Sequence, residues 1–169
     1  MNSKFKLVLF LVVAIVALDQ ATKAIVDRSM MLNHSVPVID GIFSLTYIRN
    51  TGAAFGFLAR SGEFFRRTFL IGFSIAAIGF IVVMLRRLPQ HEKLLTVALG
   101  FILGGAIGNL IDRLLYGEVI DFLDFYWSYH HWPAFNVADS FITVGVVVIL
   151  FRLALAKGDD PFAPRERIS

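Results

Sequence analysis

Five aspartates in this chain fall in or beside apolar runs. Solvated loop acids would account for two or three of them, but not for Asp19 and Asp139, which lie within the runs. Asp19 and Lys23 lie in an apolar N-terminal run, and Asn109 and Asp112 close a later one, with Arg113 following. Asn136 and Asp139 open the last apolar run at the same three-residue spacing, and Asp121 and Asp124 fall between. An Asp or Lys at the centre of a membrane helix costs roughly 2.5–3.5 kcal/mol on insertion scales, so residues that incur this cost are candidates for function. Two carboxylates that share a site cannot both ionise easily, and one keeps a proton. Such a pair can activate water as a base and protonate a leaving group as an acid. Hydrolysis of an amide by that route needs no metal, thiol or serine. The composition suits it. There are no cysteines, which excludes disulfides and thiol nucleophiles. The four histidines (His34, His91 and the adjacent His130 and His131) lack zinc-site spacing, and no nucleophile-elbow motif supports a serine triad. For Asp19 and Lys23, one helical turn apart, a purely structural ion pair is an equal reading.

The elements that must position these groups are membrane helices. Hydrophobic residues make up 57% of the 169, with mean hydropathy +0.71, well above the roughly 45–50% apolar content of soluble domains. The net charge of +3 is scattered and gives no nucleic-acid footprint. Charge-free runs of 18 residues, 68–85 and 94–111, each suffice to cross a bilayer. Two more spans, about 5–26 and 135–156, reach full length by including Asp19 and Lys23, and Asp139 and Arg152. Arg152 lies near the inner end, where it can snorkel. The basic N-terminus resembles a signal peptide, but the apolar run continues into Asp19 without a small-residue cleavage site, so a retained first span is expected. Lys4 and Lys6, then Arg86, Arg87 and Lys93, then Lys157, Arg165 and Arg167 place both termini and the 86–93 link in the cytoplasm. The longer connections, about 28–66 and 112–138, then lie outside. The five aspartates share a band at that outer side, with Asp19 roughly 20 Å along the helix from Lys6.

The first outer connection reads as a β-hairpin: residues 36–39, an Asp40-Gly41 turn, and residues 42–48. A further turn is expected at Asn50-Thr51-Gly52, and residues 61–67 are expected in the membrane interface. The second connection, with Phe122, Phe125, Tyr126, Trp127, Tyr129, Trp132 and Phe135, reads as an aromatic loop at headgroup level. Gly100, Gly104 and Gly108, with Gly105 alongside, form a small-residue stripe for helix packing. The expected fold is mainly α and integral to the membrane: four transmembrane helices with a small extramembrane β-element on the non-cytoplasmic side. Residues 1–156 form one membrane domain, and residues 157–169 a disordered cytoplasmic tail.

Five motifs in order give a resemblance. They are Asp19-Gln20 with Lys23; Arg49-Asn50-Thr51-Gly52-Ala53-Ala54-Phe55; Gly108-Asn109-Leu110-Ile111-Asp112-Arg113; Gly117-Glu118-Val119-Ile120-Asp121-Phe122; and Phe135-Asn136-Val137-Ala138-Asp139-Ser140. At these positions relative to four spans, nearly the whole chain resembles the bacterial lipoprotein signal peptidases (signal peptidase II). The resemblance implies an aspartic endopeptidase of the bacterial inner membrane, with its site facing the periplasm. Its substrates would be diacylglyceryl-modified prolipoproteins, cut before the lipidated cysteine. The resemblance also implies a β-cradle for the substrate, sensitivity to the peptide antibiotic globomycin, no cofactor and no metal. Asp121 and Asp139 would form the catalytic dyad. Asp19, Lys23, Asn50, Gly52, Asn109, Asp112, Arg113, Asn136 and Ala138 would bind substrate or support the dyad.

The residues alone leave other readings open. Asp112 and Asp124 are alternatives to Asp121, because the 17 residues separating Asp121 from Asp139 can close in more than one way. A proton-coupled carrier also uses intramembrane acids, yet spans two and three offer no charge in their cytoplasmic halves and no broken helix is evident. A passive scaffold would tolerate changes at Asp121 and Asp139. Because Asp139 opens a helix, where negative charge is favoured, it is expected to hold the charge and Asp121 the proton. A substrate with two acyl chains, each methylene contributing about 0.8 kcal/mol of burial, would stay in membrane lipid and keep the scissile bond at this depth.

Overall fold

The computed structural model describes residues 2–52 and 62–155. The expected tail at 157–169 and the motif residues Ala53, Ala54 and Phe55 lie outside them. Four helices are long and apolar enough to cross a membrane: α1 (Ser3–Ser29), α2 (Glu63–Arg87), α3 (Lys93–Leu115) and α4 (Val137–Leu155). At 1.5 Å per residue, α1 is about 40 Å long, longer than a roughly 30 Å hydrocarbon core requires. Its buried residues, Lys4, Val8, Ile15, Asp19, Lys23 and Val26, recur at helical spacing on one face. The remaining faces present Phe10, Phe73, Phe80 and Leu150 outward, as helices surrounded by lipid do.

Centrality belongs to α3. Over half of its apolar window, 56%, is buried, against 11–22% in the other three helices, and it packs on α1, α2 and α4. The glycine stripe makes this possible. A Cβ on Gly105 would stand 2.4 Å from the Ala138 carbonyl oxygen, and one on Gly108 would stand 2.6 Å from Asp19 Oδ2. The stripe is therefore a packing surface, as expected from its spacing.

A four-stranded antiparallel sheet sits at one end of the bundle, in the order β1 (Ser35–Ile39), β2 (Phe43–Asn50), β3 (Val119–Trp127) and β4 (His130–His131). The hairpin turns through Gly41 at φ +78°, a conformation that favours glycine. Val26, Tyr47, Ile120 and Phe122 form a small core between the sheet and the end of α1.

One expectation needs correction. The aromatic second connection is not a loop: β3 pairs with β2, setting Ile48 opposite Asp121 and Asn50 opposite Val119. Strand pairing satisfies backbone groups that a loop would leave to water. The segment expected in the interface is helical from Glu63, so α2 starts five residues before the charge-free run, with Gly62 as its N-cap. Phe64 and Phe65 are exposed on that first turn. At the opposite end of the bundle, Lys4 Nζ donates to the Leu85 and Leu88 carbonyls at 2.7 and 2.6 Å, closing the C-terminus of α2. There too, Arg152 Nη2 meets Glu92 Oε1 at 3.1 Å.

The glycines separate two outcomes. Gly105→Ala forces α3 away from the backbone of α4, and overpacking of this kind costs about 1–3 kcal/mol. Gly100→Ala meets only the flexible Leu11 Cδ1, at 3.2 Å. Thermal unfolding in detergent is expected to fall clearly for the first variant and little for the second.

Candidate active site

The site is built upward from one buried cation. Lys23 Nζ is 2.8 Å from Asp19 Oδ2 and 2.8 Å from Asp112 Oδ2, and it donates to Asn109 Oδ1 at 3.0 Å. Lys23 is 2% exposed and Asp19 not at all. The structural Asp19–Lys23 pair read from the sequence is present, and its further partners link it to Asp112 and Asn109. Asp19 Oδ1 accepts the Ala138 backbone N–H at 2.9 Å, and Asp112 Oδ2 accepts that of Ile120 at 3.2 Å. One carboxylate therefore holds the start of α4, and the other holds β3. Gln20 completes the knot, with Nε2 donating to Asp112 Oδ1 at 2.8 Å and to the Gly108 carbonyl at 3.2 Å.

Above this knot, Asp121 and Asp139 line one cleft of about 310 Å³ together with Asn50, Gly52, Asn109 and Arg113. Asn136, fully buried, is the residue that joins the two acids. Its Nδ2 donates to Asp121 Oδ1 at 2.8 Å. Its Oδ1 accepts the Asp139 backbone N–H at 2.9 Å, while its own backbone N–H points to Asp139 Oδ2 at 3.3 Å. That reciprocal arrangement is a capping box at the first turn of α4, with Asp139 three residues after the cap. Asn109 Nδ2 donates to the other oxygen of Asp139, Oδ1, at 2.7 Å.

From the sheet, Asn50 Nδ2 donates to Asp121 Oδ2 at 2.9 Å. Its Oδ1 accepts the Gly52 backbone N–H at 3.0 Å, an Asx turn that aims the amide. The strand beneath Asn50 is clamped to α1. Arg49 Nη2 meets Asp27 Oδ1 at 2.6 Å and its Nε donates to the Tyr47 hydroxyl, which donates in turn to Asp27. Arg113 Nη1 folds back to the Asn109 carbonyl at 3.3 Å.

Burial pushes the Asp121 carboxyl up to about 7, and the charge of Asp139 adds to the rise. The amides of Asn50 and Asn136 and the Lys23 charge pull the other way. Two carboxyls in one cleft, one of them raised toward neutrality, can share acid and base work.

The alternatives to Asp121 lie elsewhere. Asp112 is committed to the Lys23 knot. Asp124 turns to Thr46 and His131 within the sheet. Gln20 stood in the first motif without an assigned role, and the capping role of Asn136 escaped sequence reasoning, although the Asn-x-x-Asp pattern before an apolar run was a readable cap signal.

A family model described as signal peptidase (SPase) II matches residues 11–155. The chain belongs to the signal peptidase II family. It is 52% identical over 149 residues to the lipoprotein signal peptidase of Geobacter sulfurreducens, covering 88% of this chain and 92% of that one. The Geobacter metallireducens lipoprotein signal peptidase is also 52% identical, over 143 residues, covering 83% and 87%. A solved bacterial membrane enzyme superposes with a TM-score of 0.82 at 33% identity, covering 97% of this chain and 95% of that one. For a signal peptidase II, the buried knot and the shared cleft lie within the span that the family describes, between Asp19 and Asp139.

The knot makes a stability prediction. Lys23→Met leaves Asp19 and Asp112 buried without their cation, and breaking a buried pair costs about 3–5 kcal/mol. Replacing all three charges together, with Asn at both acids, is expected to recover much of that loss, as read by thermal unfolding in detergent. A triple variant less stable than Lys23→Met would contradict the knot.

Proposed function

We propose that this chain is an intramembrane aspartic endopeptidase that removes the signal peptide of diacylglyceryl-modified prolipoproteins, cutting before the lipidated cysteine. The observation that carries this reading is two carboxylates, the buried Asp121 and the part-buried Asp139, lining one cleft and joined through Asn136. Membership of the signal peptidase II family supports the substrate class.

In this reading Asp139 carries the charge. It takes a proton from water as the oxygen attacks the scissile carbonyl, while the proton on Asp121 stabilises the developing oxyanion. The C–N bond then breaks, the amine of the lipidated cysteine takes up a proton from the dyad, and the signal peptide leaves with a new carboxylate. Asn50, Asn109 and Asn136 hold the two acids through the hydrogen bonds described above, with Gly52 aiming Asn50. Arg113 lies on the cleft wall and binds the substrate backbone. Asp19, Lys23, Asp112 and Ala138 brace the assembly from below. The substrate's acyl chains stay in membrane lipid, and the sheet cradles the peptide. Residues 1–156 form one inner-membrane domain, with both termini and the 157–169 tail in the cytoplasm and the cleft facing the periplasm. Globomycin, a peptide antibiotic, is expected to occupy the cleft as an inhibitor.

The decisive assay incubates purified protein with a diacylglyceryl-modified prolipoprotein and with its unlipidated twin. Wild type is expected to cleave only the lipidated form. Asp121→Asn and Asp139→Asn should each lose at least about a thousandfold in kcat, the scale seen when a member of a catalytic unit is removed. Normal cleavage by either variant would sink the dyad.

The pH dependence has a definite sign. Asp121 must be protonated, its carboxyl sits at about 7, and the protonated fraction is lost as pH rises through that value. Cleavage is therefore expected to fall on the alkaline side of neutrality, with an apparent pKa that belongs to the pair. A profile flat from about pH 6 to pH 9 would contradict a protonated Asp121.

A further inference from the structure

β3 carries a second buried acid that the chemistry above does not use. Asp124 lies three residues after Asp121 and is 6% exposed. A buried carboxylate is costly unless it is paired and hydrogen-bonded. Asp124 has two side-chain partners: Thr46 Oγ1 donates to Oδ2 at 3.2 Å, and His131 Nδ1 lies 3.0 Å from each oxygen. A carboxylate only accepts, so the His131 Nδ1 carries the proton toward it in either charge state of the ring. The Thr46 hydroxyl hydrogen is spent on Asp124, so at the 2.5 Å contact with Ser35 it is Ser35 that donates. Tyr126 stacks on the other side of the His131 ring, with centroids 4.9 Å apart.

His131 is where this network matters to the cleft. It is the last residue of a two-residue strand that returns from a turn at Ser128, whose φ is +56°. A strand that short holds itself weakly. Immediately after it, Trp132, Pro133, Ala134 and Phe135 form one wall of the cleft that holds Asp121 and Asp139. The far end of this wall is tied to β3 by backbone bonds of Phe135 with Leu123 at 2.8 and 3.1 Å. The near end is held by the two-residue pairing of β4 with β3, Tyr126 opposite His131 and Trp127 opposite His130, by the Trp132 N–H to the Phe125 carbonyl at 2.8 Å, and by the Asp124–His131 side-chain contact.

We propose that Asp124 and His131 are a positioning pair that holds the Trp132 wall against the peptide flanking the scissile bond, and so sets substrate affinity rather than the chemical step. The inference rests on the peptidase reading above, because it assigns the wall to a peptide ligand. The pair is separate from the dyad: Asp124 points to Thr46 and His131, and Asp121 to Asn50 and Asn136.

The test is a kinetic split in lipid nanodiscs with a diacylglyceryl-modified prolipoprotein peptide. His131 is half exposed, so His131→Ala is expected to fold. Its KM should rise about tenfold, the scale of one charge-assisted hydrogen bond, with kcat within about threefold of wild type. His131→Asn keeps an N–H donor near the Nδ1 position and should restore most of the affinity. Asp124→Ala combined with His131→Ala should raise KM no further than Asp124→Ala alone, because the two residues act as one unit. A fall in kcat at unchanged KM, a wild-type KM in His131→Ala, or additive effects in the double variant would each overturn the proposal. A second readout needs no turnover. In a Trp127→Phe background the steady-state anisotropy of Trp132 should drop in His131→Ala and return in His131→Asn. If wild type cleaves no lipidated substrate, the peptidase reading fails by itself, and an unchanged anisotropy would then separately remove the positioning pair.

Discussion

Everything at the site end of this molecule depends on one buried ammonium group. Lys23 meets Asp19 and Asp112 at hydrogen-bonding distance and adds the amide oxygen of Asn109. Desolvating three charges is expensive, and only good geometry with every remaining lone pair satisfied repays it. The chain meets that demand with groups from four different elements: the Ala138 N–H from α4, the Ile120 N–H from β3, Gln20 from α1, and Asn109 from α3. The need to satisfy buried charge therefore dictates where the start of α4 and the start of β3 must lie. No buried side-chain polar atom among the described residues lacks a partner.

The two candidate acids inherit their places from that requirement by different routes. Asp139 is fixed because it belongs to the first turn of a helix, where Asn136 and Asp139 cap one another. Asp121 is fixed because β3 is pinned by Asp112 on one side and by pairing with β2 on the other. Asn136 spans both systems, donating to Asp121 while capping the helix of Asp139. Hydrophobic packing provides the bundle, but the relative placement of the two carboxylates is a matter of amides.

Legibility in the sequence followed the physics of each element. Charge-free runs located α2 and α3 because lipid tolerates little else, and Asp40-Gly41 located the hairpin because its turn requires a positive φ. β3 was not legible as a strand. Its alternation sets Asp121 on one face and Asp124 on the other, so neither face reads as polar, and the aromatic content suggested the headgroup region instead. Its partner β2 is some 70 residues away in sequence, as the pairing of Ile48 with Asp121 makes plain, and no local pattern announces such a contact. The early start of α2 was hidden by Glu63, Arg66 and Arg67, charges that a hydropathy window excludes but the first turns of a helix accept. The site residues stood out by cost: an Asp or Lys inside a span needs a reason. What the cost could not reveal was which acid paired with which.

The Lys23 knot also has a consequence in time. Asp112 is 89 residues downstream of Lys23, and ribosomes add about 5–20 residues per second. For roughly 5–20 s, α1 is already synthesised while the second carboxylate that completes its charge balance does not yet exist. During that interval Asp19, one turn away on the same helix, is the only acid of the knot that Lys23 can meet. The pair built into α1 thus serves as a temporary counter-ion that carries the first helix through the wait, and the arrival of α3 converts a tolerable local pair into the permanent foundation of the site.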